Sequence, residues 1–122
     1  MLIMKLKVIL AVILGGLLFG CYGPEPPSQE PIAKYERVGG QGIFHFIFVE
    51  DSPTIDRSTY RRIAKTICRG ERICIVMFWK DRTKVPYSLP MTDAQVNAKV
   101  AHYNLNKNTG LDRVLICAVD GC

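Results

Sequence analysis

Two short runs of this chain are apolar on both faces. Ile43-Phe44-His45-Phe46-Ile47-Phe48-Val49 and Arg72-Ile73-Cys74-Ile75-Val76-Met77-Phe78-Trp79 do not show the hydrophobic–polar alternation of a half-solvated strand. Both are rich in aromatic and β-branched residues, so they read as strands. A strand that is apolar on both faces belongs in the middle of a sheet.

Between them lies helical periodicity over residues 54–69. Tyr60, Ile63, Ala64, Ile67 and Cys68 fall on one stripe, and Arg57, Arg61, Arg62, Lys65 and Arg69 fall on the other side. Ser52, Thr54 or Asp56 can cap the start, and Gly70 suits the stop.

A second helix is signalled at Thr92-Asp93-Ala94-Gln95, a capping box, with Met91 and Val96 in the places of a hydrophobic staple. Val96, Val100 and Tyr103 would form its buried stripe. The run Asn104–Gly110 would end it. Leu111–Val119 reads as a last strand and Lys34–Val38 as a weak edge strand, with Gly39–Gly42 turning into the first strong strand. The order (β)βαβαβ implies an α/β domain, with α+β as the alternative. The expected architecture is a mixed sheet of three or four strands with both helices on one face.

Ahead of this domain, Lys5 and Lys7 precede an apolar run from Val8 to Leu18. The run is too short to span a bilayer, which takes about 20 residues. It closes on Leu18-Phe19-Gly20-Cys21 and passes directly into CYGPEPPSQEPIA, residues 21–33. A basic start, a short apolar run and a small residue before the cut are the marks of an export signal. The tetrad resembles the lipobox of bacterial lipoproteins.

The resemblance implies cleavage before Cys21, acylation of Cys21 and a membrane anchor made by the lipid. Tyr22 in the second mature position implies the outer membrane, facing the periplasm. Residues 1–20 are then a signal peptide, 21–33 a proline-rich stalk and 34–122 a small domain stabilised by disulfides. The stalk's prolines favour extended chain at about 3.1 Å per residue.

Five cysteines is an odd number. If Cys21 is acylated, Cys68, Cys74, Cys117 and Cys122 remain, enough for two disulfides in an oxidising compartment. Short loops favour Cys68–Cys74 with Cys117–Cys122; a pairing such as Cys68–Cys122 is the alternative. A zinc site is a further alternative, but the C-x5-C and C-x4-C spacings differ from the paired C-x2-C of zinc ribbons. No cofactor or metal is expected.

The full chain has 16 Lys+Arg against 11 Asp+Glu, and loss of Lys5 and Lys7 leaves 14 against 11, or +3. That mild excess suits an anionic lipid, glycan or acidic envelope protein and gives no reason to expect nucleic acid. Arg57, Arg61, Arg62, Lys65 and Arg69 are the candidate anionic-partner face, which Lys80, Arg82 and Lys84 would extend. Glu50, Asp51, Asp81 and Asp120 would gather at the carboxyl edge of a parallel sheet, where α/β proteins bind ligands and where carboxylates can hold a divalent cation. His45 sits among phenylalanines as a core residue, and His102 flanks the second helical stripe. Neither has a nucleophile beside it in sequence. Trp79 reads as core or, with Tyr87, as a contact surface.

The reading that follows is a membrane-anchored binding or interaction module without catalysis. An exclusion or inhibitor lipoprotein, acting against phage, conjugation or a hydrolase, is the second reading. A small metal-dependent hydrolase using the acidic edge is the third.

Overall fold

The computed structural model describes residues 33–50 and 55–122. Residues 1–32, which hold the expected signal peptide, Cys21 and all but the last residue of the expected stalk, lie outside the described residues, as do Asp51 and the Ser52 and Thr54 cap candidates. Five strands form one mixed, open sheet: β1 (Tyr35–Gln41), β2 (Phe44–Val49), β3 (Ile73–Trp79), β4 (Lys99–Asn106) and β5 (Leu111–Ile116). Their spatial order is the sequence order. β2 and β3 are parallel, joined by helix α1 (Arg57–Ile67), and every other neighbour pair is antiparallel. The class is α+β.

The two doubly apolar runs are β2 and β3, and β3 occupies the centre of the sheet. Helix α1 starts at Asp56, whose carboxylate accepts the Thr59 N–H at 2.8 Å. It covers one face of the sheet. Tyr60, Ile63 and Ala64 are buried there against Ile47, Val49, Val76, Phe78, Ala101, Tyr103 and Val114. Each large apolar side chain buried this way contributes about 1.5–3 kcal/mol.

The second helix departs from the sequence expectation. The capping box forms as read, with Thr92 accepting from the Gln95 N–H and the Gln95 side chain accepting from the Thr92 N–H. Yet α2 spans only Asp93–Ala98, and residues 99–106 are strand β4. The Val96–Val100–Tyr103 stripe is therefore not a helical face, and Val96 is 40% exposed.

The cause is tertiary. A short isolated helix is marginal, whereas β4 pairs with β3 on one side and β5 on the other, covering the backbone that β3 would otherwise expose as an edge. Ala101 and Tyr103 then point at α1, and Lys99, His102 and Asn104 line the opposite face. This is how three or four expected strands become five.

The helices also do not share a face. Phe46, Met77 and Trp79 lie on the side away from α1, under Val85, Leu89, Met91 and Ala98 of the segment that carries α2. α2 itself buries no side chain, and the Trp79 indole N–H donates to the Gln95 carbonyl at 2.8 Å. The last strand ends at Ile116, three residues early, where the chain turns into the short helix α3 (Cys117–Asp120). The Asp120 carboxylate accepts the Ile116 N–H at 2.9 Å across that turn. Both favoured cysteine pairs are the ones seen, Cys68–Cys74 and Cys117–Cys122. No helix among the described residues is long and apolar enough to cross a membrane.

Candidate functional site

The basic side of α1 is not an open patch. Arg57 pairs with Asp120 at 2.9 Å and donates to the Val114 carbonyl at 2.6 Å. Arg61 pairs with Asp112 at 2.5 Å, and Lys65 lies 3.7 Å from the same carboxylate. These cations fasten α1 to the edge strand β5. Arg69 is exposed on the far turn, and Arg62 is half-buried.

The seam leaves its mark on titration. The Ile116 N–H, then Arg57, hold the Asp120 carboxyl below its usual value. Burial, and after it a hydrogen bond with Asp112, pushes the Tyr103 hydroxyl up to about 12. Asp112 is the residue that sequence reasoning missed. It lies 51 positions from Arg61, so no local pattern joins them.

The acidic residues do not converge either. Glu50 is exposed after β2. Asp81 caps the 3₁₀ turn Arg82–Lys84, accepting from the Thr83 N–H at 2.9 Å and the Thr83 hydroxyl at 2.6 Å. Asp120 is committed to Arg57 and Ile116. Arg82, expected in the basic patch, pairs with Glu36 on β1. Trp79 is fully buried and Tyr87 is 76% exposed.

Where β3 ends and β4 begins, the chain leaves a cleft of about 500 Å³. It is larger than the depressions beside β1, about 140 Å³, and past the end of α1, about 320 Å³. Ile55, Tyr60, Val100 and Ile116 give its walls an apolar character, and Lys80, Lys99 and Asn97 supply polar groups. An apolar pocket with a few polar groups is the usual form of a small-ligand site.

A polar string runs from this cleft along the sheet. Lys99 Nζ is 3.1 Å from His102 Nδ1, and His102 Nε2 is 2.8 Å from Asn104 Oδ1. An amide oxygen only accepts, so Nε2 carries the proton and Nδ1 accepts from the ammonium. Burial lowers the Lys99 value. Burial also lowers that of His102, offset in part by the Asn104 hydrogen bond and reinforced by the Lys99 charge. Burial and the neighbouring Lys99 charge thus both disfavour the imidazolium. Chemically, the arrangement can hold an anionic group on an apolar body. Neither histidine has a serine or free thiol partner among the described hydrogen bonds.

His45 is buried, as read, and its partner is Glu71, with Nε2 at 3.0 Å from one carboxylate oxygen and 3.3 Å from the other. No protein-family model, curated protein or solved structure matches this chain.

Proposed function

We propose that this chain is a bacterial envelope lipoprotein, held to the outer membrane by lipid on Cys21. Its domain acts as a binding module that takes an anionic amphiphile in the cleft between Lys80 and Lys99. One observation supports the anchor above the rest. The four domain cysteines are consumed in pairs with each other, leaving Cys21 as the odd thiol beside a lipobox-like tetrad. The cleft supports the ligand class. Its apolar wall suits an acyl or alkyl segment, and its lysines suit a phosphate or carboxylate head.

The α1 cations are left out of this reading because Asp112 of β5 and Asp120 of α3 pair with three of them. The test uses dodecyl phosphate as a monomeric probe, titrated calorimetrically into the Cys21→Ser chain. Saturable binding that weakens at least tenfold in Lys80→Gln/Lys99→Gln, but not in Arg69→Gln, is the expected result. Absence of saturable binding, or equal binding by the double variant, refutes the ligand assignment and leaves the anchor to its own test.

A further inference from the structure

Beside the first disulfide stand two further groups able to bind a metal. Helix α1 delivers Cys68 at its end, and the following turn brings Glu71 back, its N–H donating to the Cys68 carbonyl at 2.9 Å. β3 supplies Cys74, and the parallel neighbour β2 supplies His45 from the same face. One ring nitrogen of His45, one carboxylate oxygen of Glu71 and the Cys74 sulfur all lie within 4.8 Å of one another. The Cys68 sulfur is 2.04 Å from that of Cys74. One sulfur, one nitrogen and one oxygen thus lie close together, carried by two neighbouring strands and the turn after α1, with the Cys68 sulfur bonded to that of Cys74.

The surroundings suit a metal site. Cys74 is fully buried, Cys68 is 2% exposed and His45 is 5% exposed, while the Glu71 side chain, at 34%, opens to solvent. Among the described residues His45 Nδ1 has no hydrogen-bond partner, and Nε2 is the ring nitrogen that faces Glu71, at 3.0 Å.

We propose that reduction of Cys68–Cys74 converts this node into a site for one thiophilic divalent ion, zinc by preference, with Cys68, Cys74, His45 and Glu71 as ligands. A dithiol reductant supplies the two electrons and two protons. The S–S bond breaks, two thiols form and the dithiol closes to its own disulfide. Ion binding then displaces one proton from each thiol. Zinc–sulfur bonds of about 2.3 Å in a tetrahedron place the two sulfurs roughly 3.8 Å apart, which side-chain rotation can provide. Reduction sets the ligand state: the sulfurs bind metal as thiolates, and in the disulfide they are bonded to each other. The same four residues hold the turn between α1 and β3 in both states. This proposal is independent of the Lys80/Lys99 cleft.

Cobalt(II) tests it, in the full chain carrying Cys21→Ser. With a phosphine reductant, one equivalent of cobalt is expected to give a thiolate charge-transfer band and the visible bands of a tetrahedral site, both removed by zinc. The oxidised chain should give neither. His45→Gln and Glu71→Gln should each weaken binding at least tenfold, and Cys117→Ser/Cys122→Ser should leave it unchanged. The proposal fails if no thiolate band appears, if His45→Gln binds as the parent does, or if the band follows Cys117 and Cys122 instead. Circular dichroism guards against an unfolded reduced chain: if reduction unfolds it and zinc does not restore the signal, the proposal fails as well.

Discussion

Replacing Trp79 by phenylalanine should loosen one half of this domain before the other. Trp79 is fully buried at the end of β3, packed edge-on against Phe46 with ring centres 5.9 Å apart. Its indole N–H is the side-chain link from the sheet to α2, through the Gln95 carbonyl. Phenylalanine keeps most of the ring and removes the donor. Leaving a partly buried carbonyl without its partner costs about 1–3 kcal/mol, and the smaller ring leaves a void costing about 1 kcal/mol. A loss of about 2–4 kcal/mol corresponds to a fall in Tm of about 10 °C or more for a domain this size.

Thermal unfolding followed by circular dichroism measures the total, and amide hydrogen exchange measures its distribution. Because α2 buries no side chain of its own, its amides and those of the Thr92 cap should lose protection before the α1 amides do. A Tm within 2 °C of the parent, or equal loss of protection in α1 and α2, would refute the claim that Trp79 pins this segment.

Two further outcomes are expected. Gly39→Ala places a Cβ 2.5 Å from the Tyr87 Cα and close to the Tyr87 and Pro86 carbonyl oxygens, all backbone atoms. The loop must shift, at about 1–3 kcal/mol, and denaturant midpoints should fall accordingly. His102→Gln should flatten the pH dependence of Tm on the acidic side of neutrality. The folded value of His102 lies below 6.5, so below pH 6.5 the unfolded chain takes up a proton that the folded chain does not. Its contribution to stability is therefore undiminished above 6.5 and declines as pH falls from there toward the folded value. Parallel Tm curves for parent and variant would refute the lowering of His102 by its half-buried position.

The legible parts of the fold were those encoded within a few residues. β2 and β3 announce themselves because apolar residues occupy both faces, and α1 because Tyr60, Ile63 and Ala64 recur at helical spacing. The Thr92–Gln95 capping box formed in both of its hydrogen bonds. Both cysteine pairs followed from proximity along the chain.

What sequence could not show depended on distant partners. Val96, Val100 and Tyr103 fit a helix by spacing. The presence of β3 and β5 on either side makes 99–106 a strand, which also sends α2 to the face opposite α1. The α1 cations read as an open surface because Asp112 and Asp120 lie about fifty or more positions away. The same limit hid the His45–Glu71 pair, 26 residues apart. The cleft at Lys80 and Lys99 came from the helix-to-strand change at Ala98–Lys99, and so was out of reach of any local pattern.

The central claim concerns Cys21, the one cysteine outside both disulfides. Mass spectrometry of the N-terminal peptide from protein made in a bacterial host with lipoprotein processing tests it most directly. A mature chain that begins at Cys21 and carries diacylglyceryl and N-acyl mass, absent in Cys21→Ser, is the expected result. A chain with a free α-amino group and no lipid mass, or one cut elsewhere, would contradict the account.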